Sequence, residues 1–339
     1  MKRPLLRKFS FLTPNWWWKK PSLISYCLSP FSATYCLIIA LRQQCYRMGL
    51  KKSIRFPVPI IVVGNITVGG SGKTPLIIWL CNFLKQQGWQ PGVVSRGHGG
   101  SQNHLSCWVT TASDPKEVGD EALLIIQKTA CPMVIGKRRA QAVATLLAKA
   151  NCNVVLSDDG LQHTALARDL EIAVIDGERR FGNGACLPAG PLREPLSRLK
   201  AVNFSITNGA AKLGEYSFKL QPGAIYNLLQ PQQIWDQQQI SSAPIHAVAG
   251  IGHPARFFNM LRQLGFNIIE HPFPDHYAYQ AVDLKFSDHH PIIMTEKDAV
   301  KCQHFADAHF WCLPVSAQPD LDFITAFSDA FYMLIHAYR

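Results

Sequence analysis

Short unbroken apolar runs, several of them ending at glycine or at acidic residues, alternate along most of this chain with longer segments whose apolar residues recur at helical spacing. Val58 to Val63 reads as a buried strand, and Pro75 to Gln87 as the helix that follows, ended by Gly88. Pro91 to Ser95, Cys107 to Thr111, Met133 to Ile135, Val154 to Ser157 and Leu170 to Asp176 are further strands. Helices are predicted from about Gly119 to Lys128 and, alanine-rich, from Arg138 to Lys149. This order predicts an α/β fold, a P-loop NTPase-like and mostly parallel sheet with ligands at the carboxyl ends of its strands. Residues 177–200, rich in Gly, Pro and Arg, are expected to form an ordered functional loop.

From Tyr216 to Ile240 periodicity fades into Gln- and Pro-rich sequence, including Gln237-Gln238-Gln239, read as short irregular or paired strands leading to a second, smaller α/β domain. There Ile245 to Ala249, Phe266 to Glu270, Ile292 to Thr295 and Trp311 to Leu313 are strands. One helix ends near Leu264-Gly265 and another closes the chain from Leu321 to Ala337. The expected division is an arm at 1–56, a phosphate-loop domain at 57–215, a linker at 216–244 and a second domain at 245–339, its last helix packing back on the first.

The pattern differs before residue 57. Pro21 to Leu41 carries no formal charge; Trp16-Trp17-Trp18-Lys19-Lys20 precedes it, and Arg42, Arg47, Lys51, Lys52 and Arg55 follow. A run of this length can just span a bilayer as a helix. Ser22, Ser25, Ser29, Ser32 and Thr34 dilute it and Pro30 is expected to break it, which favours a membrane-associating amphipathic or re-entrant helical arm over a full span. A core or partner-binding helix is the remaining reading. No small-residue cleavage site marks it as a removable signal.

Charge sharpens this picture. The formal balance is +11, yet no Asp or Glu precedes Asp114 while fourteen Lys and Arg do; the rest carries twenty basic and twenty-three acidic residues. So basic an amino-terminal region points to an anionic surface. The tryptophans and the uncharged run select a phospholipid surface and argue against a nucleic-acid partner. Ten cysteines without paired C-x-x-C spacing indicate reduced thiols in a cytosolic compartment, neither a disulfide scaffold nor a zinc site. Nothing in the sequence calls for an obligate protein partner.

The chemistry is concentrated in Gly64-Asn65-Ile66-Thr67-Val68-Gly69-Gly70-Ser71-Gly72-Lys73-Thr74, between the first strand and its helix. Such a loop curls its backbone around phosphates, Lys73 supplies positive charge and Thr74 a hydroxyl for Mg2+. Thr67 holds the first position, where the pattern has glycine. Asp158-Asp159, at the end of an apolar strand, is placed as a magnesium-holding pair, with Gln162 and His163 within one helical turn. Asp120-Glu121 at a helix start reads on its own as a capping feature. Asp275-His276 is a possible acid–base pair, although sequence leaves open which acid meets His276. Arg193 in Gly190-Pro191-Leu192-Arg193-Glu194 suits a phosphate, Glu194 joins Thr74 and the aspartates as a candidate metal ligand, and Glu296-Lys297-Asp298 suits a substrate or interdomain contact as well as a plain helix start.

Taken together, the phosphate loop, Ser95-Arg96-Gly97-His98-Gly99, Asp158-Asp159-Gly160-Leu161-Gln162-His163, Gly190 to Glu194, Phe273-Pro274-Asp275-His276 and Thr295 to Asp298 resemble, in order and over nearly the whole chain, the tetraacyldisaccharide 4'-kinase family of lipid A biosynthesis. His98 stands where the family has a more familiar Tyr, and Ser71 where it has Thr. The resemblance implies an enzyme at the cytoplasmic face of the bacterial inner membrane that uses ATP and Mg2+. It would transfer the γ-phosphate to the 4'-hydroxyl of an acylated glucosamine disaccharide 1-phosphate lipid, giving lipid IVA and ADP. It also implies nucleotide and magnesium roles for Lys73, Thr74 and Asp158-Asp159, a place for Arg193 and Glu194 in the loop at that site, and a proton-handling pair of Asp120 at the attacking hydroxyl with His276 in support. The competing reading is a membrane-recruited P-loop NTPase acting as a switch or assembly factor.

Overall fold

A computed structural model describes residues 14–100, 106–236 and 243–338, so residues 1–13 of the arm and the glutamine run at 237–239 lie outside the described residues. In chain order the first half comprises α1 (Leu23–Arg47), β1 (Ile60–Gly64), α2 (Lys73–Gln86), β2 (Pro91–Ser95), β3 (Cys107–Val109), α3 (Pro115–Val118), α4 (Asp120–Thr129), β4 (Met133–Ile135), α5 (Arg139–Lys149), β5 (Val154–Asp158) and β6 (Leu170–Asp176). There follow β7 (Phe204–Asn208), β8 (Tyr216–Pro222), β9 (Tyr226–Asn227), β10 (Ile245–Ala249), α6 (Pro254–Gln263), β11 (Ile268–Pro272), β12 (Ile292–Thr295), α7 (Glu296–Cys302), β13 (Phe310–Leu313), β14 (Val315–Pro319) and α8 (Leu321–Tyr338).

Nine strands form the first sheet in the order β14-β8-β7-β6-β1-β5-β2-β4-β3, parallel except for its two edge strands. Period-two alternation along β1 sends Ile61 and Val63 into one core with α2, α4 and α8, and Ile60 and Val62 into another with α5. Both faces are therefore covered, which is why β1 reads as one continuous apolar run. Its register with β5 sets Val63 opposite Asp158, so the phosphate loop and the acidic pair leave the sheet side by side. The second sheet, β11-β10-β12-β13-β9, is parallel except for β9.

The stretch 216–244, expected as a linker, is divided between the two sheets. β8 is seven residues of the first sheet, and β9 an edge of the second. β14, expected within the second domain, returns to pair with β8 along its length. The two crossings run side by side, Gly223 N–H donating to Pro314 O at 2.9 Å. α8 lies on the first sheet, with Phe323, Phe327 and Phe331 stacked at i, i+4 spacing inside its core. β7 was not foreseen; Ser205, Thr207 and Asn208 interrupt its apolar residues, so it does not print as an unbroken run.

Pro30 does not break the arm. α1 continues through it for 25 residues, the ring facing outward and only one backbone donor being lost. A reciprocal Ser22–Ser25 capping box starts the helix. The inner stripe of α1 is largely polar, with Tyr35 and Cys36 packed on the core beside it, and most of its large apolar side chains face out. Ser32 Oγ donates to Cys186 O at 2.8 Å, Tyr35 Oη to Arg193 O at 3.1 Å and Gln43 Nε2 to Glu194 at 2.9 Å. Leu23, Ile24, Phe31, Leu37, Ile38 and Leu41 are all exposed. Trp17 and Trp18 are half-buried on the loop after β6, Trp17 Nε1 donating to Pro188 O at 3.1 Å.

Candidate active site

The phosphate loop leaves β1 and enters α2 at Lys73, so the unpaired amides of the helix start face the cleft. Gly72 precedes the helix with φ +94°, and a Cβ there would come within 2.5 Å of Asn208 Nδ2; both conformation and space require glycine. Asn65 braces the loop from within, donating to Gly69 O at 3.3 Å and accepting from Lys73 Nζ at 3.2 Å. A second strap runs alongside. Val68 N–H donates to Pro191 O at 2.9 Å, Arg193 N–H to Ile66 O at 2.7 Å, and Thr67 bridges Leu192 in antiparallel fashion. Thr67 is thus extended, a conformation that suits a β-branched residue, and the missing glycine at this position has a local reason.

Asp158 and Asp159 face different surroundings. Asp158 is 1% exposed; its Oδ2 accepts from Ser95 Oγ at 3.0 Å, and its Oδ1 is buried without a partner. Burial and the negative charges of Glu121 and Asp159 push its carboxyl up to about 6. Burial also opposes ionisation of Asp159, but Lys73 at 3.4 Å and Arg193, whose Nη1 reaches both oxygens at 3.0 and 2.8 Å, hold it well below the usual range. A carboxylate oxygen with no donor, in the same cleft as the buried hydroxyls of Thr74 and Ser71, the latter also unpartnered, fits a cation better than a closed structural network. Among the described residues no three His, Cys, Asp or Glu side chains converge as a metal cage. Mg2+ held by one or two carboxylates plus phosphate oxygens needs none.

Glu194 stands apart from this group. It is 2% exposed and set behind the cleft, accepting from Gln162 at 2.7 Å and Gln43 at 2.9 Å, with Arg198 at 3.3 Å. Both oxygens are committed, so the expected metal ligand is a brace: Gln162 also donates to Asn65 O at 3.1 Å and carries the tie to the phosphate loop. Arg193 likewise spends its guanidinium on Asp159. His163 lines the cleft, and burial and nearby Arg139 keep it neutral down to about 4.

The cleft, about 680 Å3, lies between the two sheets. Gly69 through Thr74, Arg96, His98, Lys137, Asp158 and Asp159 form one wall, and Ile251 to His253, Phe257, Met260, Asp275 and His276 the other. The acid that meets His276 is Asp120, with Nδ1 at 2.9 Å from Oδ1 and 3.1 Å from Oδ2. Burial opposes charge on both, but the mutual contact wins: Asp120 is held far below its ordinary value, helped by Lys297, and His276 is raised. The imidazole lines the main cleft. Asp120 lies behind it, against a second cavity of about 550 Å3. His276 lines both cavities, so the pair spans the wall between them. Three ion pairs join α4 to α7 around this contact: Lys297–Glu121, Lys301–Asp120 at 3.6 Å and Lys128–Glu296 at 2.5 Å. Gly252 closes the other side, where a Cβ would stand 2.4 Å from Gly70 N.

Asn65, Lys301 and Gly252 were missed in the sequence. Asn65 and Gly252 sit directly after apolar strands in glycine-bounded loops, which was the available signal; Lys301 had only its helical spacing from Lys297.

Two outcomes follow from this geometry. Asp120→Asn removes the charge that raises His276, so its titration midpoint, read by NMR of the imidazole protons, should fall toward or below the ordinary ~6.5. The stability this His276 contact contributes is fully present below the unfolded midpoint and is lost as pH rises through the raised folded one. Gly252→Ala should leave the melting temperature near that of the parent while lowering turnover about tenfold or more, because the methyl holds the two loops apart; unchanged turnover would show that this approach is dispensable.

A family model described as tetraacyldisaccharide-1-P 4'-kinase matches residues 24–332. Among relatives, a protein named tetraacyldisaccharide 4'-kinase from Coxiella burnetii (strain RSA 331 / Henzerling II) is 50% identical over 323 residues, 95% of this chain and 94% of that protein. One of the same name from Nitrosococcus oceani is 48% identical over 312 residues, 90% of each. Among solved structures, the "apo" form of LpxK from Aquifex aeolicus in complex with ATP superposes with a TM-score of 0.76 at 27% identity, covering 92% of this chain and 99% of that one.

Proposed function

We infer the reaction from one premise: this chain belongs to the tetraacyldisaccharide-1-P 4'-kinase family. It is an ATP-dependent kinase of lipid A biosynthesis that phosphorylates the 4'-hydroxyl of a tetraacyl glucosamine disaccharide 1-phosphate, with ATP and Mg2+ as nucleotide and metal. The observation that carries the site assignment is the junction of phosphate loop, Asp158-Asp159 and the Asp120–His276 pair in one cleft.

In our reading Lys73 and the amides from Gly69 to Thr74 hold the β- and γ-phosphates, and Thr74 with Asp158 and Asp159 would hold Mg2+. Bound there, the metal neutralises charge on the phosphate oxygens. Asn65 and Asp159 fix the Lys73 ammonium before the nucleotide arrives, so little reorganisation is left for the transition state. The His276 imidazole faces the acceptor hydroxyl and takes up its proton, while Asp120 orients the ring through Nδ1 and stabilises the resulting charge. Ile251 to His253 and Asp275-His276 close the cleft from the second sheet and keep water, the competing acceptor, away from the phosphoryl group.

The acceptor is a lipid, and α1 supplies the route to it. The helix has a mean hydropathy of 1.6 over its most apolar window, of which 11% is buried. With its polar stripe on the protein and its apolar side outward, it lies in the headgroup boundary of the cytoplasmic leaflet, where Lys19, Lys20, Arg47, Lys51 and Lys52 meet anionic lipid.

Purified enzyme given labelled ATP, Mg2+ and the disaccharide 1-phosphate lipid should label the 4' position, and Lys73→Ala should lower the rate roughly 100-fold or more. ATP hydrolysis without label on the lipid would favour a switch-type NTPase. For the arm, Phe31→Asp together with Ile38→Asp leaves the packed stripe intact and should release the protein from sedimenting phosphatidylglycerol vesicles. The parent should stay partly bound at high salt; complete release of the parent by salt would reduce the contact to electrostatics alone.

A further inference from the structure

The turn after β6 joins three parts of the molecule that the reaction itself does not require to touch. Asp176 ends the strand and accepts from the backbone N–H groups of Glu178 and Arg179, both at 3.0 Å, and from Arg256 Nη2 of α6 at 2.7 Å. Two arginines leave this turn with different fates. Arg180 is committed to the first sheet, paired with both oxygens of Glu215. Arg179 makes no ion pair with a carboxylate among the described residues. Its guanidinium carbon lies 4.9 Å from the centre of the Trp18 ring, and its Nη1 donates to Gly252 O at 2.5 Å. The same Nη1 stands 3.8 Å from where a Cβ on Gly69 would be, against the backbone of the phosphate loop. Trp18 is held in place by its neighbour, since Trp17 O accepts from Asn183 N at 2.8 Å.

We propose that Arg179 is a positioning residue that couples the tryptophan strap of the membrane arm to closure of the Gly250–His253 loop over the phosphate loop, so that nucleotide affinity depends on the strap being seated. The proposal rests on the functional reading above for the identity of the nucleotide. A guanidinium suits this role because it stacks by its face while donating from its edge. Trp18 covers the face and the Gly252 carbonyl takes an edge N–H. Gly252 in turn packs on Gly70, so displacement of the strap frees the guanidinium and loosens the contact that closes the cleft. A lysine ammonium is a point charge without the planar fork, so it does not fix the ring and the carbonyl in one geometry.

The test is a double-mutant cycle on the full chain in detergent micelles, with Mg2+-ATP binding measured by titration calorimetry in the absence of the lipid acceptor. Arg179→Ala and Trp18→Ala should each weaken ATP binding about tenfold, and the double variant should bind no more weakly than Arg179→Ala, a coupling of ordinary size. Arg179→Lys should remain weakened. The KM for the lipid acceptor should stay within about twofold in variants that retain their melting temperature, which separates positioning from general loosening of the fold. An unchanged ATP affinity in either single variant, or an additive loss of about a hundredfold in the double variant, overturns the coupling. Failure of the parent protein to bind Mg2+-ATP at all overturns the kinase reading instead, and equal binding across the whole set overturns the coupling alone.

Discussion

The contact between Asp120 and His276 joins residues of two different sheets, and the geometry of the cleft depends on it. Asp120 opens α4 on the first sheet, and His276 sits in the loop after β11 on the second. Neither forms the pair unless the sheets are closed on each other. The surrounding charges favour that arrangement: Lys297 reaches Glu121 and Lys301 reaches Asp120, so α7 brings two ammonium groups to the two acids that start α4. A carboxylate as buried as Asp120 is costly on its own and becomes affordable only when the second sheet delivers its partners. Closure and the charged state of the pair are thus one equilibrium.

The acidic pair on the first sheet follows a different logic. Asp159 is neutralised within the protein by Arg193 and Lys73, whereas Asp158 has one oxygen on Ser95 and the other on nothing. Two adjacent carboxylates cannot both be satisfied by the same cations, and their neighbours decide which one is left over. The residue left over is the one in the strand, fixed by its register with β1, while Asp159 sits at φ +48° and turns toward the arginine. Asp158 thus keeps one carboxylate oxygen without a donor, at a position set by the sheet.

Much of the first sheet was legible because its strands are buried on both faces, and such strands print as unbroken apolar runs; Pro91 to Ser95, Met133 to Ile135 and Leu170 to Asp176 have the bounds expected of them. The phosphate loop was legible for a similar reason, since glycines, Lys73 and Thr74 must occur in order for local chemistry alone. What failed was long-range. Phe204 to Asn208 has only two apolar residues, set among polar ones, and the pairing of β14 with β8 depends on residues about a hundred positions apart. Glu194 lies beside Arg193 in sequence, yet the strap turns it away from the cleft toward Gln162. The meeting of Asp120 with His276 came from family resemblance, because adjacency of Asp275 to His276 suggested a different partner. The structure keeps that acid 3.8 Å away on the other ring nitrogen.

The arm shows why composition alone misjudged Pro30 and the serines. In a helix packed on a soluble core, apolar residues turn inward and serines face water; here the order is reversed, with Ser25 and Ser32 buried and Phe31, Leu37 and Ile38 exposed. Hydrogen bonds, alongside the packing of Tyr35 and Cys36, seat this helix on the protein, and two of them are made to the strap that braces the phosphate loop. Tyr35 holds Arg193 O. Gln43 holds Glu194, which holds Gln162, which reaches Asn65, which in turn holds Lys73. Such a chain transmits position because each link has fixed length and direction, which apolar packing lacks. The serines that weakened the case for a simple span are the groups that let one face of the helix dock on polar backbone, leaving the whole apolar face for a surface outside the protein. An exposed apolar stripe of this extent on a helix anchored by polar contacts is stable in water only at a cost in solvation, and a lipid boundary removes that cost without disturbing a single bond to the cleft.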